Sequence, residues 1–490
     1  MTSVLPSEPR YPSTADDVRR RRDNDSNFEA ESRASRKGLG LGCNGEGNKA
    51  QRAVFAWGEG EDGQLGIATV PIKKSNDGTE TYLSSPTWIA PLQEVRLRGR
   101  VFGRSPVVGG SRNSMALTDS GELYTWGWNQ RGSLGLGHKQ IERVPRKVDA
   151  LSGLKITQAA VGGWHCLALS EAGQVWAWGG NEYSQCALTS DARAGAERDV
   201  CVPVQILPSL RIRQVAAGGM HSLALTEDGG VWAWGQPLCD FKNVQQRLPA
   251  PVMLTSASKV TKVAAGAFHN MAMQEDGVLL SWGRNEYGSL GLGNTTFMTK
   301  PEPVTFFLEK GLQVKDMNCG GWHSTAITSD GEVYVWGRGE YGRLGLGADC
   351  SARLLPTHLV LPNEEKALQV SCGGTHTVFL TTSKRVMTCG RGSFGRQARE
   401  DLMDCNTPVY VQFEGGPWSV LSVSAGGRHS IAVAELKNRR ASISKANLLS
   451  SSGHFMPVVE ENGEVNAEDS ACALPADDDP QNLLPEIGVE

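Results

Sequence analysis

Short β-prone runs, separated by glycines, recur along most of the 490-residue chain. Some are continuously apolar and some alternate apolar with polar residues, and both patterns in short segments predict β-strands. The first run, Val54–Gly58, ends in Trp57-Gly58 and precedes a loop with the sequence Gly-Gln-Leu-Gly. The same strand ending returns at Trp126, Trp178, Trp234, Trp282 and Trp336, with Cys389-Gly390 in the seventh place.

A second landmark consists of glycine, one or two further residues, and then histidine followed by a small, mostly polar residue. The histidines are His165, His221, His269, His323, His376 and His429, and Asn113 stands in the first place. These positions recur at intervals of about 53 residues. Repeats of this length accommodate four short strands, which is typical of propeller blades.

The phase of the repeats predicts how the array closes. The chain enters at a Trp-Gly strand and leaves after the strand that follows His429. We therefore expect one blade to combine C-terminal strands within Leu421–Glu435 with N-terminal strands at Val54–Trp57 and Pro86–Ile89. Such pairing hides edge strands that would otherwise promote aggregation. The predicted fold is an all-β, seven-bladed propeller with one shared blade.

Composition divides the chain into three predicted regions: a disordered leader at 1–50, the propeller at 51–436 and a disordered tail at 437–490. The leader is polar and lacks periodicity, and the tail starts basic and becomes acidic. Residues 460–490 contain ten acidic and no basic residues. Such segments bury too little apolar surface to offset the entropy of ordering.

The two tails also contain candidate sites. In the leader, Arg19, Arg20, Arg21 and Arg22 form a candidate nuclear import signal or a weak nucleic-acid contact, against the alternative of a solvated charge run. In the tail, Ser442 follows Arg-Arg-Ala and is a candidate phosphorylation site for a basophilic kinase.

Charge and cysteine usage limit the classes of function. Residues 51–435 carry 36 basic and 35 acidic residues, so no whole-surface charge favours nucleic acid, and we expect such contacts only through the N-terminal arginines. The eleven cysteines lack metal-ligand spacing, which favours buried, reduced thiols. No apolar run approaches membrane-spanning length, and Asp16 and Asp17 interrupt any transit-peptide pattern. We expect nuclear or cytoplasmic localisation and no membrane partner.

Candidate catalytic motifs find little support. Gly337, Gly339 and Gly342 match a dinucleotide fingerprint, but the glycines that follow make the required helix improbable, so we interpret them as turn residues. The repeated histidines have no adjoining ligand set, and no nucleophile elbow is present. We predict that each histidine bonds neighbouring turn carbonyls and hydroxyls, and we expect no catalytic residue, no metal site and no cofactor.

The residue immediately before each histidine or its equivalent varies between repeats, and repeat geometry places these residues around one face near the central channel. They are Arg112, Trp164, Met220, Phe268, Trp322, Thr375 and Arg428. Aromatic residues, methionine and arginine are enriched in binding interfaces. We predict a partner-binding face here, against the alternative that these side chains pack on adjacent blades.

The repeated unit, from Gly-Gly-x-His-Ser to Trp-Gly-x-Gly-x-x-Gly-x-Leu-Gly, resembles the repeat of the regulator of chromosome condensation family. The runs at Trp126–Gly132, Gly163–His165 and Trp178–Tyr183 are most similar to plant members resembling the ultraviolet-B receptor. This resemblance implies a propeller that binds proteins: in some members small GTPases, as an exchange factor, and in others histones or a signalling partner.

Two specific activities follow from the resemblance as alternatives. Ultraviolet-B sensing implies Trp128, Trp164 and Trp322 as candidate photochemical residues, although no repeat contains the receptor's Gly-Trp-Arg-His-Thr sequence. Guanine-nucleotide exchange on a small GTPase implies a protruding wedge, for which Thr189–Asp199 is a candidate without a matching motif. The favoured hypothesis is a non-catalytic protein-interaction scaffold or regulatory adaptor.

Overall fold

Seven antiparallel sheets form the predicted seven-bladed propeller. The computed structural model describes residues 52–75, 78–93, 95–97, 105–188, 199–236, 249–252, 254 and 258–436. Six sheets have four strands and the shared sheet has five. Within this described part, no helix is long and apolar enough to cross a membrane.

The strands follow the chain blade by blade, starting in the shared blade 1. Blade 1 receives β1 (Arg52–Glu59), β2 (Ile72–Ser75) and β3 (Gly78–Trp88), and blade 2 contains β4 (Val107–Gly109), β5 (Asn113–Leu117), β6 (Leu123–Gly127) and β7 (Glu142–Lys147). Blade 3 contains β8 (Ile156–Val161), β9 (His165–Ser170), β10 (Val175–Gly179) and β11 (Val200–Ile206), and blade 4 contains β12 (Ile212–Ala217), β13 (His221–Thr226), β14 (Val231–Gly235) and β15 (Ala250–Pro251).

The remaining blades repeat the same order. Blade 5 contains β16 (Val260–Ala265), β17 (His269–Gln274), β18 (Leu279–Gly283) and β19 (Met298–Pro303), followed by a one-turn helix at Phe306–Glu309. Blade 6 contains β20 (Val314–Cys319), β21 (His323–Thr328), β22 (Val333–Gly337) and β23 (Arg353–Leu359), and blade 7 contains β24 (Ala367–Cys372), β25 (His376–Thr381), β26 (Val386–Gly390) and β27 (Cys405–Val411). Blade 1 is completed by β28 (Trp418–Ala425) and β29 (His429–Leu436).

Blade 1 closes the ring as predicted. Its strand order is β2-β3-β1-β29-β28, with β1 and β29 paired from Arg52↔Glu435 to Gly58↔His429. β3 is longer than the strand expected at Pro86–Ile89, and β2 was not predicted. The sequence of β3, GTETYLSSPTW, is mostly polar, so it lacks the apolar periodicity that identifies a strand.

In five blades the tryptophan of the Trp-Gly pair fastens the third strand to the preceding blade. The indole Nε1 of Trp126 donates to the carbonyl of Gln64 at 2.9 Å, and that of Trp336 donates to Ser289 at 2.9 Å. Gly58 has φ +107°, and a Cβ there would lie 2.6 Å from the carbonyl oxygen of Arg428. Glycine is therefore required both by the backbone conformation and by the close approach of the second strand.

The Gly-Gly pairs line the central channel, where all seven blades meet around a cavity of about 140 Å³. Adjacent blades exchange backbone hydrogen bonds there, for example from Gly321 to Gly373 at 3.1 Å and from Gly427 to Gly110 at 2.8 Å. A Cβ on Gly320 would lie 2.6 Å from both the Gly373 carbonyl and the His323 ring. Because nothing larger than glycine fits at this position, Gly320 has a structural role.

The six repeat histidines form a belt between neighbouring blades. Each Nε2 lies 2.7–3.0 Å from a side-chain oxygen of the next blade: His165 from Ser222, His221 from Asn270, His269 from Ser324, His323 from Thr377, His376 from Ser430 and His429 from Ser114. Asn113 completes the circle, with its Nδ2 at 3.8 Å from Cys166 Sγ. The predicted hydroxyl partner is confirmed for five of the histidines, whereas His221 bonds the side-chain amide oxygen of Asn270 and the described part shows no bond from these rings to a turn carbonyl.

The donor in these bonds can be identified from the second hydrogen bond that the hydroxyl makes. Ser324 Oγ donates its hydrogen to the Ser289 carbonyl at 2.8 Å, and Thr377 Oγ1 donates to Arg343 at 2.7 Å. Since each hydroxyl carries one hydrogen, it must accept from the histidine, so Nε2 is protonated. None of the six Nδ1 atoms has a hydrogen-bond partner among the described residues, so a hydrogen on Nδ1 would be buried and unsatisfied.

Burial keeps the belt neutral. It lowers the pKa of His165, His269 and His429 to about 3 and that of His221 to about 4. The pKa values of His323 and His376 also fall well below the usual value, through burial first and then through neighbouring arginines. A charged imidazole inside this belt would lack both solvation and a counter-ion.

The belt predicts acid sensitivity. In the unfolded chain each histidine binds a proton below about pH 6.5, whereas the folded belt binds none until about pH 4, so the free energy of unfolding must fall as pH falls through this window. The loss from pH 7 to pH 5 is about 2 kcal/mol per histidine. Urea unfolding at pH 7, 6 and 5 checks this. Burial raises the pKa of Glu59 and Asp62. Protonation of these two carboxyls therefore increases the free energy of unfolding as pH falls and offsets part of the loss. A free energy of unfolding unchanged down to pH 5 would contradict the neutral belt.

Removal of one hydroxyl tests the belt locally. Ser324→Ala leaves the buried Nε2–H of His269 without an acceptor, and we expect a loss of about 2 kcal/mol in the free energy of unfolding. Ser329→Ala, at an exposed position of the same blade, is the control and should lose less than about 0.5 kcal/mol. Chemical denaturation compares the two variants, and equal losses would show that the hydroxyl does not hold the blades together.

Candidate interaction face

The seven variable residues share one face of the propeller. In every blade the backbone carbonyl of this residue accepts a hydrogen bond from the residue that follows the third-strand glycine. The pairs are Arg112 with Trp128, Trp164 with Gly180, Met220 with Gln236, Phe268 with Arg284, Trp322 with Arg338, Thr375 with Arg391 and Arg428 with Glu59, at 2.8–3.0 Å. We call this surface, with the loops after the third strands, the arginine–aromatic face.

Their side chains differ in exposure. Arg112, Trp164, Phe268 and Arg428 are half-buried, whereas Met220, Trp322 and Thr375 are buried. The Trp322 ring lies 4.4 Å from that of Phe268 and 5.4 Å from that of Tyr287, both from blade 5. Trp322 therefore packs between blades, as the alternative interpretation expected, while Met220 and Thr375 are buried as well.

Arginines stack on aromatic rings across this face. The Arg131 guanidinium lies 5.2 Å from the centre of the Trp164 ring, Arg284 lies 5.1 Å from Phe268, and Arg338 lies 4.4 Å from Tyr287. Cation–π contacts of this kind hold a guanidinium in one orientation while part of it remains accessible. These arginine–aromatic contacts could not be predicted from the seven variable residues alone, because most of the arginines lie in the loops after the third strands.

Carboxylates accompany the arginines of blades 1 to 3. Asp62 accepts from Arg112 at 2.5 Å and Glu59 accepts from Arg428 at 3.2 Å. Burial raises the pKa of both carboxyls, while the adjacent arginines lower it. Arg131 lies 2.8 Å from Glu182 and 3.4 Å from Asp199. Charge in these blades is therefore balanced locally.

The loops of blades 6 and 7 differ from the others. Tyr341 and Phe394 have φ values of 61° and 59°, a left-handed conformation that is unfavourable for bulky residues. Tyr341 lies between two arginines, with Arg391 at 4.7 Å and Arg343 at 5.5 Å from its ring centre. Phe394 lies between Arg428 at 5.4 Å and Arg396 at 5.7 Å.

The loops of blades 6 and 7 also differ in sequence from those of blades 2 and 5. In blades 2 and 5, Asn129 and Asn285 fix the loop through side-chain bonds to backbone atoms, such as Asn285 Oδ1 accepting from Leu290 at 2.9 Å. Gly339 and Gly392 stand at the equivalent positions of blades 6 and 7, so these loops lack that side-chain anchor, as does the loop of blade 1 with Gly60. The second difference in sequence is that Arg343 and Arg396 replace the serine that blades 2 and 5 have in Gly-Ser-Leu-Gly.

The three candidate photochemical residues do not form one cluster. Trp128 contacts Arg112 at 5.8 Å in blade 2, and Trp164 contacts Arg131 between blades 2 and 3. Trp322 packs on Phe268 and Tyr287 in blades 5 and 6, on a different part of the ring.

Six of the eight cysteines in the described residues are buried. Burial raises the pKa of the Cys372 thiol to about 12 and the pKa of the Cys319 and Cys389 thiols well above the usual value. Within the described ranges, no three His, Cys, Asp or Glu side chains are grouped to hold a metal ion. The loop after Gly337 makes a short turn at Glu340–Gly342 and leads to β23 without a helix, so the interpretation of its glycines as turn residues is confirmed.

Three further predictions concern residues outside the described ranges. They are the candidate import signal Arg19, Arg20, Arg21 and Arg22, the candidate phosphorylation site Ser442, and the candidate wedge Thr189–Asp199 apart from Asp199 itself. They remain predictions.

Comparison with known proteins supports the resemblance inferred from the repeats. The chain is 32% identical over 387 residues to the ultraviolet-B receptor UVR8 of Arabidopsis thaliana, which covers 79% of this chain and 71% of the receptor. It is 27% identical to RCC1 domain-containing protein RUG3, mitochondrial, of the same plant, over 83% of this chain and 78% of that protein.

The solved structure of Prp20p from Saccharomyces cerevisiae matches with a TM-score of 0.66 at 22% identity, covering 83% of this chain and 96% of Prp20p. At this identity the match concerns the fold. A family model described as the RCC1-like domain matches residues 53–432, nearly the whole described propeller. The chain therefore belongs to the family of RCC1-like domain proteins.

Proposed function

We propose that this protein is a non-catalytic interaction scaffold or regulatory adaptor that binds protein partners through the arginine–aromatic face. The observation that carries the proposal is the series of arginines stacked on aromatic rings around this face. Arginine, tryptophan and tyrosine are the residues that most often dominate binding energy in protein interfaces.

Pre-organisation supports the same function. The Arg131 guanidinium is held by Trp164 on one side and by Glu182 at 2.8 Å, so little side-chain entropy remains to be lost on binding. Trp322, buried against Phe268, makes the surface beneath the exposed groups rigid. A rigid, partly desolvated arginine surface suits a partner that presents carboxylates or other hydrogen-bond acceptors.

The chemistry of the described residues supports a binding role over catalysis. The belt histidines are neutral and already donate Nε2–H to neighbouring blades, so they lack a free role in proton transfer. The buried thiols with raised pKa values are poor nucleophiles, because the thiolate is the reactive form.

The partners are proposed to be proteins, among them a small GTPase, histones or a signalling partner. Yeast Prp20p is described with binding to Gsp1p and histones, which is a statement about that protein. We propose a nuclear or cytoplasmic location, although the relative RUG3 is a mitochondrial protein by name. Nucleotide exchange and ultraviolet-B sensing are the competing functions, tested by release of labelled nucleotide from a GTPase and by dissociation of a dimer under ultraviolet-B light.

Substitution on the face tests the scaffold proposal. The double variant Arg284→Ala and Arg391→Ala removes two stacked guanidiniums and should reduce captured partners at least tenfold, because arginine anchors contribute strongly to binding. The control is Arg211→Ala with Lys155→Ala, which removes two charges at the opposite ends of the first strands. Quantitative mass spectrometry after affinity capture measures the difference, with thermal unfolding to confirm folding. Equal capture by the face and control variants would contradict the proposal.

A further inference from the structure

Blade 1 differs from the other blades in the extent of its outer strands. In five blades the fourth strand begins opposite the third-strand glycine. In blade 1, Leu83 lies opposite Gly58, but β3 begins five residues earlier, at Gly78, and pairs there with β2. Blade 1 therefore has an additional hairpin, consisting of β2 and residues 78–82 of β3, which we call the blade 1 hairpin.

The blade 1 hairpin extends beyond the arginine–aromatic face. β1 ends at Glu59, whose amide donates to the Arg428 carbonyl on that face at 3.0 Å. The partner of Glu59 in β3 is Tyr82, and residues 78–81 continue past this last pair over a length of about 13 Å. A protein that contacts the face next to blade 1 would therefore also meet the hairpin.

The outer edge of β2 presents backbone groups for pairing. The Thr81 carbonyl accepts from the Gly60 amide at 2.8 Å, so the backbone of Thr81 is directed to the side of β1 and not to β2. Antiparallel strands alternate between bonded and non-bonded pairs, so its partner Ile72 and, two residues on, Lys74 direct their N–H and C=O groups to the outer side of β2. β2 is the last strand of its sheet, and no described strand pairs with that side.

This edge lacks a protection that the outer strands of the other blades share. Proline has no N–H and hinders the addition of a further strand to a sheet edge. The outer strand of each of the other six blades contains a proline: Pro145, Pro203, Pro251, Pro301, Pro356 and Pro408. β2 has the sequence Ile-Lys-Lys-Ser, without proline. Its Ile72 is 72% exposed, the highest value for a large apolar side chain among the described residues. β2 is therefore an edge strand open to pairing.

We propose that β2 is a strand-addition site, at which an extended acidic segment of a protein partner pairs with the outer edge beside the arginine–aromatic face. Main-chain hydrogen bonds hold a segment of this kind, and its side chains provide selectivity. This inference rests on the proposed function of the face, because it states in which conformation a partner reaches the protein.

The residues of β2 indicate the chemistry of the added segment. The exposed Ile72 favours an apolar, β-branched residue opposite it. In the register of the hairpin Lys73 is opposite Glu80, whereas Lys74 is opposite Thr79, so a carboxylate opposite Lys74 on the added strand is favourable. A second copy of β2 would instead bring lysines close to lysines, which disfavours pairing between two copies.

Titration of the full chain with a defined peptide tests the site directly. The probe is the peptide Thr-Glu-Thr-Val-Thr-Val, which in an antiparallel arrangement brings its glutamate opposite Lys74 and its first valine opposite Ile72. Methyl NMR spectra of the isoleucine-labelled protein report binding, and we expect a saturable shift of the Ile72 signal. The same peptide with N-methyl groups on the glutamate and the first valine keeps every side chain but loses two backbone donors, so it should bind about tenfold more weakly.

Two substitutions at one position separate backbone pairing from charge. Lys74→Ala removes the charge and keeps the outward N–H, so peptide binding should weaken about fivefold or less. Lys74→Pro removes the charge and the N–H, and should bind the peptide about tenfold more weakly than Lys74→Ala. Thermal unfolding confirms that both variants are folded. Equal losses in the two variants would show charge attraction without strand pairing and would overturn the proposal.

Partner capture connects the edge with the face. The partners that the double variant Arg284→Ala and Arg391→Ala loses should also be reduced in Lys74→Pro relative to Lys74→Ala. Capture that is equal in the two Lys74 variants would overturn the role of β2 in partner binding, even if the defined peptide binds.

The outcomes separate this inference from the proposed function. If the Ile72 signal does not shift, or if both peptides bind equally well, β2 does not add a strand. The scaffold function would still stand if substitutions on the face abolish partner capture. If the peptide binds as expected and those substitutions leave capture unchanged, strand addition stands and the scaffold function of the face is contradicted. Sedimentation of the unmodified chain as a dimer and of Lys74→Pro as a monomer would assign the edge to a second copy and would overturn the proposal.

Discussion

The hydrogen bond from each belt histidine to the next blade is the constraint on which the rest of the propeller depends. It is one link in a relay: the imidazole Nε2–H donates to a hydroxyl, and the hydroxyl donates to a loop carbonyl, as in His269, Ser324 and Ser289. The same carbonyl accepts from the indole of Trp336. One backbone oxygen thus joins the two landmark motifs of the repeat, which explains why they recur with the same period.

The relay fixes the backbone at the ends of the second strands and thereby makes a face available for variation. The residue before each histidine keeps its backbone bond in all seven blades, while its side chain changes from arginine to tryptophan to threonine. The half-buried members of this set and the adjoining loops can therefore vary without disturbing the histidine bonds between blades.

Much of the fold was predictable because the same contacts are repeated. The spacing of Trp-Gly and histidine gave the number of blades, and the incomplete repeats at both ends gave the shared blade. Long-range packing was not predictable: the burial of Trp322 depends on Phe268 and Tyr287, which a different blade supplies. The left-handed conformation of Tyr341 was also missed, although Gly339 visibly replaces the asparagine of blades 2 and 5. The polar strand β2 carries no periodic signal at all.

The protonation state of the belt tests this account most directly. Long-range nitrogen–proton NMR spectra of the protein labelled at histidine, recorded from pH 7 to pH 5.5, report the tautomer and charge of each ring. The account predicts that the six belt histidines remain neutral and carry their hydrogen on Nε2 throughout this range. A belt histidine that titrates near pH 6.5 in the folded protein, or carries its hydrogen on Nδ1, would contradict the relay and the division of the repeat into scaffold and binding positions.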